Sequence, residues 1–156
     1  MDRLIVGITG ASGTPLACRF VNQLKEFTEC EVHVVASDSA RLTAQYEAPD
    51  AFKKMLSYVD VVHDNASIGE SIASGTFKTK GMVIIPCSMK TVAGIASGYS
   101  DNLVLRAADV TLKEQRPLVL VARETPMSPI HLRNLSTCST SISINSSSND
   151  DVLPSP

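Results

Sequence analysis

Three runs of this chain, Leu4 to Ile8, Met82 to Ile85 and Leu118 to Val121, are apolar at nearly every position rather than at every other one. A strand points successive side chains to opposite faces, so such a run is buried on both sides. Glu31 to Ala36 adds a further strand, and Val59 to Val62 a weak, short one. Helical patterns fill the gaps: Pro15 to Phe27, with Leu16, Phe20, Val21 and Leu24 on one face, a helix from a Ser37-Asp38 cap to about Tyr46, then Thr91 to Ala96, Leu103 to Lys113, and Ser128 to Leu135. Pro86 is expected to stop the strand before it. Doubly buried strands alternating with helices predict an α/β fold, a three-layer, doubly wound parallel sheet with right-handed crossovers. In such folds ligands sit beyond the carboxyl ends of the strands.

The sequence divides at about residue 135. Residues 1–135 read as one globular domain. Residues 136–156 contain eight serines, two threonines, two asparagines and two prolines, with no lysine, arginine or glutamate. That composition buries too little apolar surface to offset the entropy of ordering it, so a disordered tail is expected. Ile142 and Ile144 alternate in a way that also allows a short strand.

Charge and cysteines narrow the function. Fourteen basic and sixteen acidic residues give a net charge of -2, and no aromatic-basic interleaving is present, which argues against nucleic acid. Runs such as Pro117 to Ala122 are too short to span a membrane. Met1-Asp2-Arg3 leads into the first strand without the apolar stretch of a signal peptide. Cys18, Cys30, Cys87 and Cys138 show no paired spacing, so a reduced, cytoplasmic protein is expected.

The unusual residues cluster at strand ends. The first strand runs into Thr9-Gly10-Ala11-Ser12-Gly13. Small residues there let backbone N–H groups approach a phosphate at the following helix N-terminus, although a tight turn alone also uses glycine. Ser37 ends the second strand, where a helix cap is favoured over a ligand contact. Pro86-Cys87-Ser88-Met89-Lys90-Thr91 places hydroxyls and a cation where a helix opens, suited to an anionic or polar heterocyclic ligand. Cys87 there has no histidine near it in sequence, and a buried small cysteine is the more ordinary reading. Arg123-Glu124-Thr125-Pro126 follows the strand at Leu118, with a surface ion pair as the default.

Several chemistries lack their signatures. A dinucleotide fingerprint starting at Gly7 would need glycines where Thr9 and Ser12 stand, although Asp38 sits where a ribose contact would fall. The serine-hydrolase elbow is absent. His33, His63 and His131 are scattered, with no metal-ligand spacing, and His63-Asp64 reads as a loop.

Together these motifs resemble the UbiX-like flavin prenyltransferases, also known as the phenylacrylic acid decarboxylase type. The resemblance rests on Gly7 to Gly13, Pro86 to Thr91, Arg106-Ala107-Ala108-Asp109-Val110 with Leu112-Lys113-Glu114, and Arg116 to Val121 with Arg123 to Pro126, while Ile130-His131-Leu132 fits the next helix. It covers residues 1 to about 135, and four motifs in order are specific where each alone is weak. It implies a Rossmann-like flavoprotein fold, FMN bound between subunits of a homo-oligomer (a dodecamer in the family), and no metal. It also implies transfer of a dimethylallyl group from dimethylallyl phosphate to N5 and C6 of FMN. The prenylated FMN then serves a UbiD-type decarboxylase.

By the same resemblance Gly10, Ala11, Ser12, Ser37, Ser88, Met89, Lys90, Thr91 and Arg123 would bind the flavin. Arg106, Lys113 and Glu124 match positions near the prenyl phosphate, where cations would stabilise the leaving group. Glu47 would assist proton transfer with Ser12 as relay; read alone, Glu47 is a solvated helix-end carboxylate. The family continues with another strand, a loop bearing a tyrosine and a last helix bearing a basic residue, where this chain has its serine-rich segment. That departure predicts a truncated member with an uncovered sheet edge and impaired transfer, or an FMN-binding protein without catalysis. A small NAD(P)-dependent oxidoreductase is a third reading that the missing glycine disfavours.

Overall fold

The structure, a computed structural model, describes residues 1–139 and the backbone of residues 143–146. Six parallel strands form one sheet in the order β3-β2-β1-β4-β5-β6. They are β1 (Arg3–Ile8), β2 (Glu31–Ala36), β3 (Val61–Asp64), β4 (Gly81–Cys87), β5 (Leu118–Ala122) and β6 (Ser143–Ser146). Helices α1 (Thr14–Phe27), α2 (Asp38–Glu47), α3 (Pro49–Tyr58), α4 (Met89–Ser97), α5 (Leu103–Lys113) and α6 (Pro129–Ser139) connect them, with a short 3-10 turn at Ser71–Ala73. The order reverses direction from β1, which is where a doubly wound sheet opens a crevice.

Burial follows the reading of doubly apolar strands. Val6, Ile8, Val32 and Val34 pack with Ala17, Val21, Phe52 and Met55 on one face of the sheet. Ile5, Val35, Met82 and Ile84 pack with Val92, Leu103, Val104 and Ala107 on the other. The central strands therefore contribute side chains to two cores at once.

The structure differs from expectation in several places. Leu16 is 44% exposed, and α1 instead buries Thr14, Ala17, Cys18 and Val21. The small Ala17 and Cys18 set the helix close to the sheet, which rotates its buried face away from Leu16. Helix α3 has no counterpart in the sequence reading; its signal is Pro49 at the first turn, Asp50 beside it, and Phe52 and Met55 three residues apart as the buried stripe. Pro86 does not stop β4. The strand continues to Cys87 across a shift in pairing register between Ile84 and Cys87, an irregularity that accommodates a residue without an N–H. The third strand is Val61–Asp64, so His63 is in a strand rather than a loop.

At the far edge, α6 extends to Ser139, four residues past the expected limit of the domain. Cys138 in its last turn is buried against the α4 side of the core, which gives that turn a reason to remain helical. The strand that Ile142 and Ile144 allowed is present at Ser143–Ser146 and pairs with β5, so the edge of β5 is covered. The remainder of the expected tail, 140–142 and 147–156, lies outside the described residues.

Candidate functional site

A cleft of about 620 Å³ opens at the carboxyl ends of β1, β2, β4 and β5. That lies within the roughly 300–1,000 Å³ typical of small-molecule sites. Thr9, Gly10 and Ala11 line it from β1, Ser37 and Ser39 from the start of α2, Ser88 to Thr91 from the start of α4, and Glu124 from beyond β5. Gly94, Ser97, Tyr99, Asp101, Asn102 and Leu105 form the wall made by α4, the α4–α5 loop and α5.

Local hydrogen bonding builds this edge. Thr9 is 3% exposed, donates its hydroxyl to the Pro86 carbonyl at 2.7 Å, and accepts from the Ser88 N–H at 2.9 Å. One threonine thus ties the end of β1 to the end of β4. Ser88 caps α4 by accepting from the Thr91 N–H at 3.2 Å, and its hydroxyl lies 2.9 Å from that of Thr91. The N–H groups of Met89 and Lys90, in the first turn, have no partner within the helix, so the polar edge carries partial positive charge beside the Lys90 cation. Ser37 caps α2 by accepting from the Ala40 N–H at 3.0 Å, and it also lines the cleft. The cap and the ligand contact, rival readings in the sequence, are compatible in one side chain.

Gly10 has a steric reason to be glycine. A Cβ there would sit 2.5 Å from Ser39 Cβ and 3.1 Å from the Ser39 carbonyl carbon. Thr43 of α2 donates to the Gly10 carbonyl at 2.8 Å, so the glycine-rich turn is clamped against α2.

Glu47, at the last position of α2, reaches back to the start of α1. Its carboxylate accepts from the Gly13 N–H at 3.0 Å and the Thr14 N–H at 3.2 Å. The Ser12 side chain also hydrogen-bonds to it. Glu47 is exposed as a residue, and although the protein around its carboxyl displaces some water and so works to raise it, these three hydrogen bonds and the Arg123 charge outweigh that and hold the group below the usual carboxylate range. The N-terminus of α1, read from sequence as a phosphate site, therefore already carries an internal anion. Glu47 is not the freely solvated carboxylate that sequence alone suggests.

The remaining expected residues are placed less uniformly. Arg123 is exposed and bears on Glu47, and no ion pair with its neighbour Glu124 forms among the described residues. Glu124 lines the cleft. Arg106 is exposed on the first turns of α5, beside Asn102 and Leu105 of the wall but not on it. Lys113 is at the opposite end of α5, roughly 12 Å along the helix axis from Leu105, and lies 3.6 Å from Glu114. Cys87 is buried at 0% exposure, and burial, followed by the neighbouring Cys138, pushes its thiol far up, which excludes it as a nucleophile. Asp38 is exposed in the first turn of α2, away from the cleft lining, as a helix-start carboxylate would be. His33 and His63, scattered in sequence, meet across β2 and β3.

Sequence reasoning missed Thr9, Ser39, Tyr99, Asp101 and Asn102 as cleft residues. Asn102 had a signal, since it stands just before the periodic stretch of α5 and caps it through the Leu105 N–H at 3.0 Å. Tyr99 had none; its position depends on the α4–α5 turn, which begins with Gly98 at φ 70°.

The chain matches the Flavoprotein family model over residues 1–148, beyond the expected limit at 135. It is 50% identical over 133 residues to the flavin prenyltransferase UbiX of Escherichia coli K12, covering 85% of this chain and 70% of that protein. A dodecameric FMN-dependent UbiX-like decarboxylase from Escherichia coli O157:H7 superposes with a TM-score of 0.88 at 47% identity, covering 91% of this chain and 78% of that one. The structure of AnUbiX in complex with FMN and dimethylallyl pyrophosphate also gives a TM-score of 0.88, at 42% identity, covering 92% of this chain and 76% of that one.

Proposed function

The chain belongs to the flavoprotein family of UbiX-like flavin prenyltransferases, and we propose that it transfers a dimethylallyl group from its phosphate ester to FMN. The observation that carries this reading is the convergence of separated sequence motifs on one cleft, with the Ser12–Glu47 pair next to Ala11 in its lining.

The cleft suits FMN chemically. The first turn of α4, Lys90 and the hydroxyls of Ser37, Ser88 and Thr91 offer donors to a phosphate and a polyol, while Gly10 and Ala11 leave room for a flat ring. Reduced FMN, with hydrogens on N5 and C6 to give up, would supply the ring nitrogen and carbon that accept the dimethylallyl group as the phosphate leaves. Glu47 is held anionic and linked to Ser12, so the pair is placed to take a proton as the new bonds form. Cations beside the departing phosphate stabilise the charge that develops as its C–O bond breaks, a role that falls to Arg106 and Lys113 in this proposal, with Glu124 on the cleft wall.

Lys113 is remote from the cleft of its own chain, so this assignment requires a neighbouring subunit. A homo-oligomer with the site shared between subunits meets that requirement, and a relative is dodecameric. The prenylated product would pass to a UbiD-type decarboxylase. A cytoplasmic location is proposed with it; no helix among the described residues is long and apolar enough to cross a membrane.

The test is a titration of the chain with FMN followed by flavin fluorescence, then anaerobic reduction of the bound flavin, incubation with dimethylallyl phosphate or pyrophosphate, and mass analysis of the flavin. Saturable binding with a mass gain of one dimethylallyl unit is expected. Binding without transfer would make the chain an FMN-binding protein, and no binding by folded chain would overturn the reading altogether.

A further inference from the structure

The β2–β3 side of the sheet holds a group of titratable side chains that the proposed reaction does not use. His33 and His63 are each 3% exposed, with near-parallel rings and centroids 5.2 Å apart. His33 Nδ1 lies 2.9 Å from His63 Nε2. The outer nitrogens are also engaged: His33 Nε2 is 2.6 Å from Glu31 Oε1, and His63 Nδ1 is 3.2 Å from Glu70 Oε2. Glu31, His33, His63 and Glu70 therefore form one string of three contacts. Arg3 lies 3.4 Å from Glu31 and sits over the Phe77 ring, whose plane stands at 71° to His33. No other charged group is hydrogen-bonded to the string among the described residues.

The string can be counted in protons. An ionised carboxylate only accepts, and a neutral imidazole has one N–H and one lone pair. Three contacts need three protons, and two neutral rings supply two. With two, one contact must set a lone pair against a lone pair or a carboxylate, which is costly for the buried ring nitrogens, although Glu31 and Glu70 themselves keep access to solvent. We infer that the His33–His63 pair is a buried proton-binding site that holds a third ring proton at neutral pH. Two arrangements satisfy every contact, differing only in which ring donates across the His33–His63 gap, and in the one with His63 as the neutral ring the donation runs outward from His33. His33 donates Nε2–H to Glu31 and Nδ1–H to His63 Nε2, and His63 donates Nδ1–H to Glu70. The pair then carries one positive charge between two carboxylates.

Two shifts agree with this arrangement. Burial first, and the charge of His33 after the opposing Glu70 hydrogen bond, push His63 below the usual histidine range, as suits the neutral member. The hydrogen bond from His33 is the largest cause holding Glu31 below the usual carboxylate range, as suits an acceptor. The site also touches the cleft indirectly. Asn65, two residues after His63, accepts from the Leu103 and Val104 N–H groups, each at 2.9 Å, and so anchors the start of α5.

Solid-state NMR of the full chain labelled with 15N histidine tests the count, with His131 assigned through His131→Gln. Three protonated nitrogens of the four in His33 and His63 are expected at neutral pH. Two protonated nitrogens, with or without a protonated Glu70, would overturn the inference. Glu70→Gln, at a partly exposed position, keeps an acceptor for His63 and removes the charge. Its third ring proton is expected to leave at lower pH than in the parent chain, and an unchanged release pH would also overturn the inference.

Discussion

Glu47 shows how a side chain acquires a role that its neighbours in sequence do not indicate. Its partners Ser12, Gly13 and Thr14 are more than thirty residues away, and Arg123 is further still. Held anionic at the start of α1, it fixes the glycine-rich turn, and in the proposed reaction it would serve as a base next to the cleft. Glu47→Gln keeps an oxygen to accept from the Gly13 and Thr14 N–H groups but cannot take a proton. Prenyl transfer is expected to fall by about 10²-fold or more, while FMN affinity changes little, as checked by single-turnover transfer beside a binding titration. The same residue predicts a pH effect. Because its carboxyl is lowered in the fold, its stabilising contribution is present above the unfolded value of about 4.3 and is lost as pH falls through the folded value. Urea denaturation of parent and Glu47→Gln should therefore show a stability gap at neutral pH that closes in acid.

Among the elements, the turn between β1 and α1 is held by two others, α2 and the end of β4. Gly10 abuts Ser39, Thr43 holds the Gly10 carbonyl, and Thr9 binds the β4 end. A methyl group at Gly10 meets the root of the Ser39 side chain and its backbone, neither of which can rotate away, so α2 must shift. Gly10→Ala is expected to destabilise the fold by about 1–3 kcal/mol, the usual range for overpacking, and to abolish FMN binding. Denaturant midpoints and the fluorescence titration read the two effects separately. A fully stable Gly10→Ala chain with intact binding would show that the turn is not clamped against α2. Ser37 and Ser88 belong to the same logic. Each follows a strand directly, caps the next helix and lines the cleft, so an element boundary and the cleft wall share one side chain.

Across the whole molecule, the position of Lys113 separates a one-chain site from a shared one. It is on the far end of α5 from the cleft, 3.6 Å from Glu114. If it serves a neighbouring subunit, Lys113→Ala and Glu47→Gln disable different halves of the same site. Each variant alone is expected to lose transfer, and assemblies made by mixing the two should recover part of it, measured by product formation against the mixing ratio. Light scattering on the same samples gives the assembly mass. A monomer with full transfer would remove the need for a shared site, and mixed assemblies with no recovery would place both residues in one subunit's chemistry.

The sequence by itself determined the class of the fold and the edge on which the site lies. Runs such as Leu4 to Ile8 and Leu118 to Val121 are apolar at consecutive positions, and the alternation of strand faces turns that local fact into a doubly covered parallel sheet. The same local reading found the cap at Ser37, because a cap is made by residues three positions apart, while the equally local cap at Ser88 was read only as a polar contact. Only the tertiary structure decided the rest. Glu47 was legible as more than a surface carboxylate only through a family resemblance, since its partners arrive from α1 and from beyond β5. His33 and His63, thirty residues apart, read as unrelated until β2 and β3 paired and brought their ring nitrogens within 2.9 Å. Tyr99 and Asp101 came to the cleft through a loop path that no periodicity encodes. Backbone periodicity and capping act over a few residues and are written in the local sequence. Contacts between distant residues depend on strand order and crossover, which only the packed sheet specifies.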